Sequence, residues 1–218
     1  MRRSCTGCSS TGKATVLADK RGMQESGSNR IIIGITGASG AFYGMRTLSL
    51  LRDKGFETHL VLSKAGKKVL ELETDCTARD VEAMASHAYD ADDLGAPIAS
   101  GSFLTDGMII APCTMKTLSA VANSYASNLV ERAADVALKE KRKLVLVVRE
   151  TPLHKGHLRL MTLAADIGAC ILPPIPAFYH KPATIDDIID QTVGKIFDHL
   201  GIEHDLFKRW GEHGDLER

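Results

Sequence analysis

The sequence predicts a single α/β domain in which an open, doubly wound and mostly parallel sheet lies between two layers of helices. Three observations lead to this fold class. Apolar runs typical of buried strands alternate with amphipathic helical stretches, and no internal repeat interrupts the alternation. The third observation is size, because 218 residues with 44% hydrophobic composition are enough to bury one substantial core.

Five segments dominated by apolar residues are predicted to be strands. In chain order they are RIIIGIT (30–36), FETHLVLS (56–63), DGMIIAP (106–112), KLVLVV (143–148) and ACILPP (169–174). The fourth run is followed by Arg149, Glu150 and then Pro152, which cannot continue a hydrogen-bonded ladder. The charged pair is therefore expected at the carboxyl end of a buried strand.

Amphipathic stretches predict the helices between these strands. The first, AFYGMRTLSLLRDKG, is expected to end at Gly55. Further helices are predicted for KAGKKVLELET, near ARDVEAMA, around 116–123 and 128–140, and for HLRLMTLAADIG. The segment TIDDIIDQTVGKIFDHLG predicts a closing helix whose apolar side carries Ile185, Ile188, Ile189, Val193, Ile196 and Leu200. The stretch AYDADDLGAPIASGS is predicted to be a long loop of the kind that often serves function.

Composition separates the two chain ends from the domain. Residues 1–29 are rich in Ser, Gly, Lys and Arg and predict a flexible leader, residues 30–210 predict the folded domain, and residues 211–218 predict a short tail. The leader has no apolar core of a secretory signal, and no apolar run has the length of a membrane-spanning helix. We therefore expect a cytoplasmic protein.

Charge and cysteine content narrow the classes of partner. The 27 Lys and Arg residues balance the 27 Asp and Glu residues, so no global field attracts nucleic acid or an anionic membrane, and a small soluble ligand is expected. Cys5 and Cys8 form a C-x-x-C pair that suits half a zinc site, a redox pair or, as the favoured interpretation, two inert cysteines. Cys113 lies at a predicted strand end without a histidine at a motif-like offset, which favours a buried structural thiol over a nucleophile.

The first strand-to-helix turn, GITGASGAFYG, is the strongest local signal in the chain. Its glycines let backbone N–H groups approach an anionic or electron-rich ligand at a helix N-terminus, although they also suit tight packing of helix on sheet. The spacing is not G-x-G-x-x-G, and the second strand ends at Ser63 where an NAD-binding fold has Asp or Glu. Both features argue against a dehydrogenase.

Polar residues follow two further predicted strands. Thr114, Lys116 and Thr117 stand at the start of a helix, where hydroxyls and free N–H groups can bind a phosphate or the edge of a flavin ring, although Thr114 also suits a simple N-cap. Arg149 and Glu150 follow the next strand. A doubly wound sheet brings the carboxyl ends of its strands to one edge, so these groups predict a single ligand site there.

Several long motifs carry a resemblance to a known family. The segments GITGASGAFYG, HLVLSKAG, LETD, IASGSFLTDGMIIAPCTMKTLSA, ERAADVALKE, LVLVVRETPL, HLRLM and PPIPAFYHKP resemble, in this order, the UbiX family of flavin prenyltransferases. The resemblance covers roughly residues 30–210 and implies a Rossmann-like, flavodoxin-like fold. It also implies a homododecamer with sites at subunit contacts.

The activity implied by the resemblance is transfer of a dimethylallyl group from dimethylallyl monophosphate to N5 and C6 of reduced FMN. The product, prenylated FMN, would serve a UbiD-type decarboxylase in ubiquinone synthesis or in the decarboxylation of aromatic acids. No metal is expected in this reaction, because the reduced flavin itself provides the electron-rich face. The alternatives are a non-catalytic FMN-binding or storage protein and a flavin-dependent cysteine-type decarboxylase, whose PASANT motif we do not find.

The resemblance also assigns residues to roles. The residues implied to contact the flavin are Gly37, Ala38, Ser39, Ser63, Thr114, Met115, Lys116, Thr117 and Arg149. Those implied to bind the prenyl phosphate are Tyr179, Lys195, Lys139 and Arg149.

The implied catalytic residues are Ser39, Glu73, Glu150 and Lys139. Cations and a phenol suit the charge that develops on a departing phosphate, Glu150 could protonate that phosphate, and Ser39 and Glu73 could move protons near the flavin. Two positions depart from the usual family pattern. Thr114 replaces Ser and keeps the hydroxyl, whereas Lys195 replaces Arg and cannot form a two-pronged contact with phosphate.

Overall fold

A computed structural model describes residues 27–211 of the chain. Its sheet contains six strands, β1 (Arg30–Ile35), β2 (Glu57–Leu62), β3 (His87–Tyr89), β4 (Gly107–Cys113), β5 (Lys143–Val148) and β6 (Ala169–Ile171). The spatial order is β3-β2-β1-β4-β5-β6, and every neighbouring pair is parallel. The predicted doubly wound fold is confirmed.

Seven α-helices occur in the part of the chain that the structure describes. They are α1 (Ala41–Asp53), α2 (Lys64–Glu73), α3 (Ala78–Glu82), α4 (Met115–Ala122), α5 (Leu129–Lys139), α6 (Lys155–Asp166) and α7 (Ile185–Leu200). Each coincides with a predicted helix to within a few residues. None of them is long and apolar enough to cross a membrane.

Alternation along the buried strands divides the core into two apolar clusters, one on each face of the sheet. In β1, Ile31 and Ile33 join the cluster covered by α1 and α7, whereas Ile32 joins the cluster covered by α4 and α5. Leu48 of α1 and Leu118 of α4 are fully buried on their respective faces. This packing gives the three layers that the sequence predicts.

Two local expectations were wrong. No strand was predicted at β3, a three-residue edge strand too short to show a hydrophobic pattern, and its last two residues overlap the start of the predicted long loop. On the closing helix, Ile185 was predicted on the apolar side but is 60% exposed. Phe197 was not predicted on that side but is fully buried. Ile185 follows the N-cap residue Thr184 in the first turn, before the helix reaches the body of the core.

The chain reverses its direction of winding between β1 and β4, which leaves a crevice at their carboxyl ends. Thr36 fixes this point: its hydroxyl donates to the Pro112 carbonyl at 2.7 Å and accepts from the Thr114 N–H at 2.9 Å. The ends of both central strands are therefore held together where a ligand site is expected.

Candidate active site

A cleft of about 440 Å³ opens at this switch point. The residues that follow β1, β2, β3 and β4 contribute to its wall, together with the loop before α5. Its volume falls within the range of about 300–1,000 Å³ that is usual for small-molecule sites. Parallel topology alone accounts for this convergence, because every contributing strand ends at the same edge of the sheet.

The N-termini of three helices meet at the cleft. The N-caps of α2, α4 and α5 are Ser63, Thr114 and Asn128, and all three line the cleft. Their side-chain oxygens accept hydrogen bonds from first-turn N–H groups at 3.0, 3.1 and 3.0 Å, respectively. Each helix end also carries a partial positive charge, and its first N–H groups have no partner within the helix, although that of Leu129 in α5 donates to the Ala91 carbonyl at 2.7 Å. The cleft therefore favours an anionic group such as a phosphate.

A buried carboxylate organises one wall of this cleft. The side chain of Glu131 is 1% exposed, and its Oε2 accepts hydrogen bonds from the N–H and hydroxyl of Ser127 at 2.8 and 2.7 Å. Its Oε1 lies 3.3 Å from the Lys116 ammonium. Burial alone would raise the pKa of Glu131, but the bonds from Ser127 and the charge of Lys116 outweigh burial and lower it.

The glycine-rich turn was predicted either to cradle a ligand or to allow tight packing of helix on sheet. A Cβ on Gly37, which lines the cleft, would lie 2.4 Å from the Cβ of Ala65 in the first turn of α2, so only glycine fits this close approach. A Cβ on Gly44 would lie 2.2 Å from the Ala111 carbonyl oxygen, which is a helix–sheet packing constraint. Both glycines are therefore required for packing, and Gly37 also lines the cleft.

Glu73 holds the beginning of α1. Its carboxylate accepts the N–H groups of Gly40 at 2.9 Å and Ala41 at 3.0 Å, and Gly40 itself, with φ of 105°, provides no side-chain cap. The neighbouring Ser39 is exposed. The carboxylate thus stabilises the turn that carries Ser39, at a helix end whose dipole favours negative charge.

Arg149 and Glu150 lie exposed at the end of β5, as the sequence predicts. The Arg149 N–H donates to the Cys113 carbonyl at 3.2 Å, and the Glu150 carboxylate accepts the Thr151 N–H at 3.0 Å. Burial raises the pKa of Tyr43, while a hydrogen bond with Thr192 and the nearby charge of Arg149 oppose that rise. The charge of Arg149 therefore acts on Tyr43 of α1.

Tyr179 and Lys195 are linked through the segment that follows α7. The Tyr179 ring meets Trp210 edge-on at 5.6 Å, and the adjacent Arg209 donates to Asp198 at 2.7 Å. Lys195 contacts the same Asp198 at 3.3 Å. Burial alone would raise the pKa of Asp198, but these cationic partners lower it to about 2.

Comparison with known proteins decides the family. A family model described as Flavoprotein matches residues 19–197. A flavin prenyltransferase UbiX from Thauera aromatica is 59% identical over 188 residues, which cover 86% of this chain and 97% of that protein. The chain belongs to the UbiX family of flavin prenyltransferases.

Two solved structures support this membership. The crystal structure of AnUbiX in complex with FMN and dimethylallyl pyrophosphate has a TM-score of 0.82 and 47% identity, and the match covers 83% of this chain and 96% of that chain. A dodecameric FMN-dependent UbiX-like decarboxylase from Escherichia coli O157:H7 has a TM-score of 0.81 and 50% identity, with coverage of 83% and 98%.

The residues assigned to the flavin in this UbiX-family chain fall into two groups. Those that line the cleft are Gly37, Ser63, Thr114, Lys116 and Thr117. The others lie beside it: Ala38 and Ser39 continue the first turn, the half-buried Met115 packs against the core, and Arg149 stands at the next strand end. Thr114 is also an N-cap, so the two interpretations of that residue coexist.

Lys139 lies at the opposite edge of the sheet within one chain. It is the last residue of α5, whose first turn borders the cleft, and 11 residues of helix span about 16 Å. It pairs with the carboxylate of Glu140 there. One chain of this UbiX-family protein therefore does not bring Lys139 to the residues of the cleft.

Sequence reasoning missed Thr36, Asn128 and Glu131. Asn128 followed three residues later by Glu131 matches the spacing of a capping box, which could have revealed both residues. The structure departs from that motif, because Glu131 reaches the N–H of Ser127 instead of the N-cap residue. The hydrogen bonds of Thr36 join two strands distant in sequence, and no local pattern signals them.

Proposed function

We propose that this UbiX-family chain transfers a dimethylallyl group from dimethylallyl monophosphate to N5 and C6 of reduced FMN. The observation that carries the proposal is the convergence of three capped helix N-termini and Lys116 at the switch-point cleft. The product, prenylated FMN, would serve a UbiD-type decarboxylase in ubiquinone synthesis or aromatic acid decarboxylation. The cytoplasmic location expected from the sequence stays a prediction.

The cleft residues fit FMN. The helix N-termini and the Lys116 ammonium suit the phosphate. Ala65, Ala91 and Val130 provide apolar wall beside these polar groups. A mostly apolar cleft with a few convergent polar groups is typical of cofactor sites.

In the proposed reaction, reduced FMN provides the electron-rich atoms that receive the prenyl carbon. Arg149, Tyr179 and Lys195 bind the phosphate of the donor and stabilise the charge that grows as the allylic C–O bond breaks. Glu150 donates a proton to the departing phosphate. These side chains are exposed, so each is accessible to a ligand.

Ser39 and Glu73 are proposed to handle protons at the flavin side of the reaction. The bonds from Gly40 and Ala41 hold the Glu73 carboxylate, at the end of α2, against the turn that carries Ser39. Proton transfer requires a carboxylate or hydroxyl that is held in position near the reacting group. The rigid cap therefore supports a catalytic role as well as a structural one.

We further propose a homododecamer in which Lys139 reaches the donor phosphate from a neighbouring subunit. The separation between Lys139 and the cleft within one chain supports this arrangement. The E. coli relative described as dodecameric supports it as well.

Anaerobic incubation of the protein with reduced FMN and dimethylallyl monophosphate tests the proposed function. Mass spectrometry of the released flavin should show a mass increase of one C5 unit. Because the AnUbiX structure contains the pyrophosphate, a parallel reaction with dimethylallyl pyrophosphate compares the two donors. Binding of FMN without any mass change from either donor would instead indicate the storage protein.

A further inference from the structure

A second cluster of ligand-type side chains lies away from the cleft, at the amino ends of β2 and β3. Glu57 and His59 are two residues apart on β2, so their side chains share one face of the sheet. His87 on β3 is the register partner of His59 and projects to the same face. Strand pairing alone therefore gathers two imidazoles and one carboxylate.

The distances within this cluster suit a metal ion. The Glu57 Oε1 atom lies 3.2 Å from His59 Nε2 and 3.3 Å from His87 Nε2, and the three ligand atoms all lie within 4.8 Å of one another. In a tetrahedral site with metal–ligand bonds of about 2.0–2.1 Å, neighbouring ligand atoms are about 3.3–3.4 Å apart. Both distances to the carboxylate are close to this spacing.

His59 has a ring nitrogen without a hydrogen bond. Its side chain is 1% exposed, and Nε2 lies 3.2 Å from Glu57 Oε1 but lacks hydrogen-bonding geometry to any group in residues 27–211. Its other nitrogen, Nδ1, lies 2.9 Å from the Tyr89 hydroxyl. A hydrogen bond from the second ring nitrogen is the usual way that metal-binding histidines are oriented, and here it directs Nε2 towards Glu57 and His87.

The carboxylate is oriented as well. Arg30 donates to Glu57 Oε2 at 3.0 Å, which leaves Oε1 for the two histidines. The side chain of His87 is 52% exposed and that of Glu57 is 35% exposed, so solvent can provide a further ligand. Two histidines, one carboxylate and a water match the donor set of known zinc sites.

We propose that Glu57, His59 and His87 bind one divalent transition-metal ion of the zinc class. The ion would join the edge strand β3 to β2 through ligands on both strands, and it would play no part in prenyl transfer. The proposal does not depend on the proposed function, because none of the three residues lines the cleft.

Metal binding by the full chain tests the proposal. The protein carries Cys5→Ser and Cys8→Ser substitutions to remove a competing thiol pair, and it is treated with chelator before use. Equilibrium dialysis with Zn²⁺ should give one more bound equivalent than the same protein with His87→Ala. The control His199→Ala removes an exposed histidine of α7 and should retain that equivalent.

Two further measurements separate metal binding from a general defect. Co²⁺ should produce visible d–d absorption in the parent protein that both His87→Ala and Glu57→Gln abolish, while FMN binding by these variants is unchanged. Zn²⁺ should slow backbone amide exchange in residues 87–89 of the parent protein only. The proposal would be overturned if the parent and both variants bound the same number of Zn²⁺ equivalents, or if the Co²⁺ spectrum were the same in all three proteins.

Discussion

At the scale of single residues, Glu131 shows how a buried charge can serve a binding site. The carboxylate accepts two hydrogen bonds from Ser127 and approaches Lys116, so one side chain positions both a loop and a cation at the cleft. A buried charge is tolerated when it is paired and hydrogen-bonded, and removing its charge leaves the partners uncompensated. Glu131 is therefore a positioning residue.

Glu131→Gln should lower the stability of the protein by about 1–3 kcal/mol, because hydrogen bonds to a charged acceptor are replaced by weaker ones. The lowered pKa means that the contribution of Glu131 is complete above its ordinary pKa of 4.5 and is lost as pH falls through the lower folded value. The difference in Tm between wild type and variant should therefore shrink below pH 4.5.

Glu140→Gln is the matched control, since Glu140 follows the same helix and pairs with Lys139 at the surface. Exposed ion pairs contribute little to stability because solvent screens them, so this variant should stay close to wild type. Equal losses of Tm in the two variants would contradict the role assigned to Glu131.

Lys195 tests the assignment of the donor phosphate. Lys195→Ala should raise the KM for dimethylallyl monophosphate about 10- to 100-fold, since a charged hydrogen bond contributes about 1.5–3 kcal/mol. Lys195→Arg should keep or improve donor affinity, because the guanidinium forms two parallel bonds to a phosphate. An unchanged KM in Lys195→Ala, as expected for the exposed control Lys54→Ala, would show that the assigned role is wrong.

At the scale of elements, helix ends determine where the chemistry takes place. Three N-termini converge on the cleft, and a fourth, that of α1, is satisfied by Glu73 from another helix. The caps Ser63, Thr114 and Asn128 come from the sequence immediately before their helices, whereas the cap of α1 comes from the end of α2. Local and tertiary capping therefore act together at one edge of the sheet.

Glu73→Ala should destabilise the protein by about 0.5–2 kcal/mol because it removes the cap of α1. Glu71→Ala, at an exposed position two residues earlier on the same helix, should leave the Tm nearly unchanged. Thermal unfolding followed by circular dichroism measures both variants. If Glu73→Ala has the Tm of the control, the carboxylate does not hold α1 in solution.

The sequence predicts most of the elements because long apolar runs and amphipathic helices have strong periodic patterns. It fails for β3, whose three residues are too few to show a period. It also fails for Ile185, which fits the helical spacing of the apolar residues but lies in a first turn outside the core. The site follows the same rule. Gly37 and Thr114 follow predicted strand ends and Ser63 comes from the family resemblance, and all three line the cleft, whereas Thr36 acts through contacts that are distant in sequence.

At the scale of the whole molecule, the position of Lys139 makes assembly part of the proposed site. Co-expression of Lys139→Ala and Glu150→Gln chains with different affinity tags gives mixed oligomers that can be isolated. Some of their sites would combine the native Lys139 of one chain with the native Glu150 of another. These mixed oligomers should form prenylated FMN faster than either parent oligomer, which is measured by flavin mass.

An activity no higher than the average of the two parents would show that Lys139 does not act across a subunit contact. Co-expression of Lys139→Ala chains carrying the two different tags controls for the effect of the tags. This control should stay as slow as the untagged variant.

The central claim is that the sheet-edge cleft holds reduced FMN while Glu150 assists the departure of the donor phosphate. The most direct test is a single-turnover reaction of FMN-loaded wild type and Glu150→Gln under anaerobic conditions, followed by mass spectrometry of the released flavin. Wild type should yield flavin heavier by one C5 unit, and Glu150→Gln should retain its FMN but react about 10²- to 10⁴-fold more slowly. Equal rates in the two proteins, or unmodified FMN from wild type, would contradict the account.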